Sequence, residues 1–213
     1  RVFGCDRLAS HTFLAEAGAA AEGVVAIATY DPTRDDPQLT TFVNAFTTRF
    51  GHEPEAYAAH AYDGANILIA AIRKAGLNRV RVRDALYEYK HFDGVTGRIE
   101  FDSTLNDVGP VYFATVQNGK FAYREARSAS TARADHGPIP YRTLAESAPA
   151  VRLSPPPSPS ETTPLRLGCF LPLDDAGQAA VRGMQMALEN DAVKHSGERP
   201  IELLVRDARG VWG

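Results

Sequence analysis

The side chains able to do covalent or metal chemistry are few in this chain and badly spaced for it. Ser10 and His11 are sequence neighbours, a poor start for a nucleophile–base pair, whose members must converge from separate elements. His60 falls in a helical segment with no carboxylate three or four residues before it, and His11 and His52 stand equally alone, so neither a metal face nor an oriented base is offered. Asp102, Asn106 and Asp107 superficially suggest a calcium loop, but the required glycine and terminal glutamate are missing, and a hairpin turn explains them with less. Cys5 and Cys169 lie far apart beside strand-like runs and read as buried free thiols rather than a bridge or redox pair. The phosphate-binding and serine-hydrolase signatures, Gly-x-Gly-x-x-Gly after a strand, a phosphate-loop lysine and Gly-x-Ser-x-Gly, do not occur. The expectation is therefore a non-enzyme with no metal and no cofactor. Asp6 closes Phe3-Gly4-Cys5-Asp6 after a strand-like run, in place to cap a helix begun near Ala9-Ser10, and Tyr57 heads a long helix, in place to staple its start.

The elements that must carry these residues are well marked. Ala58, Ala61, Ala65, Leu68, Ile72 and Ala75 step by three and four residues, which predicts a helix over 56–75, with Gly76 ending it. A second helix is expected from about Val80 to Lys90. Gly94 and Gly97 mark two tight turns, and Arg98-Ile99-Glu100-Phe101 reads as a half-buried strand with Ile99 and Phe101 inward. Asn118-Gly119, between Val111–Gln117 and Lys120–Tyr123, is a strong hairpin signal. Together these strands predict a small antiparallel meander.

Composition divides the 213 residues, of formal charge −3, into three regions. Residues 1–125 are patterned. Residues 126–163 lose periodicity and include Ser154-Pro155-Pro156-Pro157-Ser158-Pro159-Ser160, which predicts an extended linker. Residues 164–213 are patterned again. Leu165–Leu171 and Ile201–Asp207 read as strands on either side of a helix capped by Asp174 or Asp175, with Ala180, Val181, Met184, Ala187 and Leu188 on one face. This predicts a βαβ unit with a parallel pair. Met184 and Met186 read as core filler. The charge balance, with no Lys/Arg run, argues against nucleic acid as a partner, and no apolar run approaches the roughly 20 residues of a membrane helix. The chain carries no recognisable signal peptide and opens at Arg1 in what reads as the middle of a domain.

Several short words, in order, carry a family resemblance. Ala17-Gly18, Ala21-Glu22-Gly23-Val24-Val25 and Tyr30-Asp31-Pro32 come first; Phe50-Gly51-His52-Glu53-Pro54, Ala61-Tyr62-Asp63-Gly64, Ala75-Gly76-Leu77 and Phe92–Asp102 follow. Over about the first 125 residues the chain resembles the C-terminal half of type I periplasmic solute-binding proteins, of the leucine/branched-chain amino-acid-binding kind. Leu167-Gly168 to Pro172-Leu173, Gly183, Arg199–Leu203 and Asp207 are similar to the opening of the N-terminal lobe of the same family, although Asp174-Asp175-Ala176-Gly177 is shorter than the family's loop. The resemblance implies α/β lobes with a parallel sheet and flanking helices. Residues 1–125 would be the end of one solute-binding domain, 126–163 a linker and 164–213 the start of a second. It implies capture of an amino acid or similar polar solute between lobes that close about hinge strands, Val24–Thr29 with the following Tyr30-Asp31-Pro32 being one crossing. It makes Asp6 the partner of the ligand's ammonium and Tyr57 part of the pocket wall; Tyr62 and Asp63 match a family word but read as structural, through core packing and a helix-surface hydrogen bond. The implied location is periplasmic or otherwise extracytoplasmic. The implied partner is an ABC-type permease or, if the lobes serve a sensor, an attached signalling domain.

Overall fold

A computed structural model describes residues 2–89, 91–102, 106–126 and 163–209; the expected linker lies almost wholly outside them. The chain runs β1 (Phe3–Gly4), a 3-10 turn (Asp6–Leu8), α1 (His11–Ala17), a second 3-10 turn (Gly18–Ala21) and β2 (Val25–Ala28). It continues with α2 (Pro37–Phe50), α3 (Ala56–Ala75), α4 (Arg79–Glu88), β3 (His91–Gly94) and β4 (Gly97–Glu100). Then come β5 (Tyr112–Gln117), β6 (Lys120–Glu125), β7 (Leu165–Leu171), α5 (Asp175–Lys194) and β8 (Ile201–Asp207).

One sheet has the order β1-β2-β5-β6, with β1 parallel to β2 and the other neighbours antiparallel. Asn118 and Gly119 turn the β5–β6 hairpin with φ of 52° and 72°, the left-handed pair that matches strand twist. The Glu22 carboxylate accepts from both of their amides. The strands expected to form one meander divide instead. β3 and β4 make a hairpin of their own, apart from β5 and β6; after β4, the Asn106 amide donates to Asp102 Oδ1, and Phe101 bridges Asp107 rather than a strand of the larger sheet.

Helix α3 is buried almost all round rather than along one stripe; Ala58, Ala59, Ala65, Ile67, Ile69 and Ala71 are all inside. Besides α4, which packs on it directly after Gly76, three neighbours account for this. Leu39, Phe42 and Phe46 of α2 share a core with Ala58, Ala59 and Val95. The β3–β4 hairpin is held by Asp63, 1% exposed, whose carboxylate accepts from the amides of Val95 (2.9 Å) and Thr96 (2.8 Å) and from the Thr96 hydroxyl (2.7 Å). Burial raises the Asp63 pKa and these donors oppose the rise. Gly94 is required here by closeness rather than by a left-handed backbone, since a Cβ would overlap the Asp63 carboxylate; Gly97, at φ 119°, is the position needing glycine's freedom.

The third neighbour is α5. Asp174 caps it by accepting from the Gly177 amide, and β7 and β8 pair in parallel in a sheet of their own. Gly183 sits against the Ala58 carbonyl with no room for a Cβ, and Met186, Ala187 and Leu188 pack into the α3 core. Arg73 donates to both oxygens of Asp191, at 2.7 and 2.5 Å, and this pairing lowers the Asp191 pKa. Tyr62 stacks 4.7 Å from Phe42 and accepts from Asn190 Nδ2 at 2.9 Å, so Tyr62 and Asp63 both serve structure. Cys169 is a half-buried free thiol, but Cys5 is exposed, because the chain leaves β1 for the first 3-10 turn at that residue.

Replacing Asp63 by Asn puts an NH2 donor against the Thr96 amide and hydroxyl. Urea unfolding of Asp63→Asn is expected to show a loss of about 2–3 kcal/mol; an unchanged midpoint and slope would remove the carboxylate from its anchoring role.

Candidate functional site

The ends of β1 and β2 and the first turns of α3 enclose a cavity of about 100 Å³ whose walls include Asp6, Thr29, Tyr30, Glu55, Tyr57 and His60. Its position follows from the sheet. β1 and β2 run parallel, so the turns after both strands fall on one edge, the usual place for a ligand in an α/β sheet. Asp6 opens the 3-10 turn after β1 and is solvent-exposed. The residue that caps α1 is Ser10, whose hydroxyl accepts from the Phe13 amide, which frees Asp6 from the capping alternative. Glu55 precedes α3 and reaches across to accept from the His11 amide at 2.9 Å, tying the starts of α1 and α3 together. Tyr57, one residue into α3, is 38% exposed. The structure thus brings Asp6 and Tyr57, 51 positions apart, to one cavity.

Residues to which the sequence assigned no binding role complete it. Tyr30 is 4% exposed, and its hydroxyl finds no partner among the described residues. Burial raises its pKa. Tyr123, from β6, is pushed up to about 12 by burial, with Asp31 and Glu55 adding to the effect. Both phenols therefore keep their protons and stay available as donors. His60 shares a hydrogen bond of 2.9 Å with the Thr29 hydroxyl, and burial lowers its pKa, which favours the neutral ring. Glu53 and Glu55 add carboxylates, Arg7 a guanidinium, and Phe121 an apolar floor. The arrangement offers acid for a cation, phenol for an anion or carbonyl and aromatic surface for a hydrocarbon. Tyr30 stands in the sequence as part of the expected hinge crossing, and that place at the end of a strand was the signal for a binding role as well.

The model of the periplasmic binding protein family matches residues 4–120, more than half of the chain and the whole of this cavity apart from Phe121 and Tyr123. The chain belongs to that family. The Leu/Ile/Val-binding protein homolog 2 of Brucella abortus is 36% identical over 99 residues, which are 46% of this chain and 26% of that protein. The chain thus spans about a quarter of the length of the curated relative it matches. Among solved structures, the branched-chain amino acid transporter substrate binding protein LivJ of Streptococcus pneumoniae, in complex with isoleucine, superposes with a TM-score of 0.54 at 30% identity over 58% of this chain and 36% of LivJ. The leucine binding protein LivK of Thermotoga maritima gives 0.53 at 26% identity over 57% and 35%. The fold is the mixed α/β fold of these binding proteins.

A buried hydroxyl without a partner costs about 1–3 kcal/mol. Tyr30→Phe is accordingly expected to leave stability unchanged or raise it by up to about 2 kcal/mol in urea unfolding of the solute-free protein. A loss of that size would mean the hydroxyl is already satisfied.

Proposed function

We propose that this chain supplies one wall of an extracytoplasmic receptor that captures a small polar solute, an amino acid of the branched-chain type, for uptake by an ABC permease. Capture is by closure of two lobes around the solute, with no bond made or broken. The reading is carried by one observation: two residues marked out in the sequence, Asp6 and Tyr57, share a cavity with a buried phenol, Tyr30, whose hydroxyl has no partner among the described residues. An amino acid has a partner for each. The ammonium meets Asp6 in a charge-assisted hydrogen bond, the carboxylate accepts from the Tyr30 hydroxyl, and the aliphatic side chain lies against Tyr57 and Phe121.

Size supports a shared site. About 100 Å³ falls short of the roughly 300 Å³ and more of a complete small-molecule pocket, so a facing lobe closes the remainder. The names of the relatives favour a branched-chain solute, as does the isoleucine held by LivJ. The Pro-rich stretch 154–160 favours a second setting for the same capture step, in which closure drives an attached signalling domain instead of a permease.

Calorimetric titration of the intact receptor with L-leucine tests the assignment. Asp6→Ala removes the charged partner of the ammonium and is expected to cost about 2–4 kcal/mol, roughly a 30- to 1,000-fold rise in Kd. Unchanged affinity would take Asp6 out of the site.

A further inference from the structure

The unit formed by β7, α5 and β8 lies outside the residues that the family model matches, yet it touches the loop that builds the cavity. Arg182 of α5 donates through Nη1 to His52 Nε2 at 2.7 Å, and His52 Nδ1 lies 2.9 Å from the Glu53 carbonyl oxygen. One neutral tautomer of His52 satisfies both contacts: Nδ1–H donates to Glu53 and the Nε2 lone pair accepts from Arg182. The Arg182 guanidinium also lies 5.6 Å from the centre of the Phe50 ring, and the Phe46 ring meets His52 edge-on at 5.6 Å. The next residue of α5, Gly183, is seated on the Ala58 carbonyl, one position past Tyr57. From Glu53 the chain runs directly into Glu55 and Tyr57, both in the cavity wall, and Glu55 in turn holds the His11 amide.

We propose that the C-terminal unit is a brace for the binding wall. Arg182 is a positioning residue that fixes the 51–55 loop through His52, so that docking of α5 on α3 and the placement of Glu53, Glu55 and Tyr57 are coupled. This gives residues 163–209 a role toward the site of the first unit, whatever further domain they open. The contact is polar, directional and at the start of α3. The Gly183 seat and the Arg73–Asp191 pair are separate attachments that keep α5 docked when Arg182 is altered. The brace is therefore separable from the docking.

Hydrogen exchange on the 213-residue chain reads the brace without any ligand. Arg182→Met is expected to speed exchange of the 52–57 amides about tenfold, the loss of one charge-assisted hydrogen bond, while amides from Ile67 to Ala75 keep their protection. Arg182→Lys, which still donates to His52, is expected to restore protection. Arg182→Met combined with His52→Phe is expected to add little to either single change. Exchange unchanged at 52–57, or accelerated equally along all of α3, would overturn the proposal. A second arm rests on the amino-acid reading: in the intact receptor, Arg182→Met is expected to weaken L-leucine binding several-fold without touching the cavity, and an unchanged Kd would overturn the coupling. Failure of the unaltered receptor to bind L-leucine would count against the solute assignment alone, because the exchange result stands independently.

Discussion

The carboxylate of Asp63 has almost no contact with water, and the position of everything around α3 follows from how it is satisfied. A buried carboxylate without partners would cost several kcal/mol. Here three donors from one turn, the amides of Val95 and Thr96 and the Thr96 hydroxyl, converge on it, so the β3–β4 hairpin adopts one position against the helix. Gly94 makes the approach close enough. With the hairpin seated, Val95 fills the core that α2 and α3 share, and the rotation of α3 about its own axis is set. That rotation aims Tyr57 and His60, at the near end of the same helix, toward the end of β2.

The remaining faces of α3 are used economically. Alanines at 58, 59, 65 and 71 let neighbouring backbones come near, and Gly183 of α5 takes the closest seat. Charge is added at the far end, where Arg73, 15% exposed, grips Asp191, 5% exposed. Such a pair contributes less than its Coulomb attraction suggests, but losing one partner leaves the other charge stranded, so it specifies where α5 docks more than it stabilises. The cavity, by contrast, is walled by strand ends, turns and the first turn of a helix. A rigid scaffold with its polar groups gathered at its loops is the arrangement by which binding proteins combine order with access.

Local signals in the sequence were faithful where they concerned local geometry. Asn118-Gly119 turns the hairpin, Gly76 ends α3, Asp174 caps α5, and Leu165–Leu171 pairs with Ile201–Asp207 in parallel. Helix α2 has its local signal too, Asp36-Pro37, a cap followed by proline at the first turn. What depends on several segments meeting was harder to read. The single stripe expected on α3 became burial on many sides because α4 and three other neighbours approach it. Gly94 reads locally as a turn residue because Asp63, 31 positions away, is invisible to any local window. The cavity draws on four separated stretches, and the family resemblance marked two of its residues, whereas Tyr30 and His60 acquire their meaning only from burial and from the hydroxyl groups beside them.

The central claim is that an amino acid is recognised at the meeting of β1, β2 and the first turn of α3. Titrating the tyrosine-labelled intact receptor with L-leucine, followed by NMR of the ring signals, tests it most directly. Saturable movement of Tyr30, Tyr57 and Tyr123, with Tyr87 on the exposed side of α4 unmoved, is the expected result. Saturable binding that leaves all three cavity tyrosines where they were would contradict it.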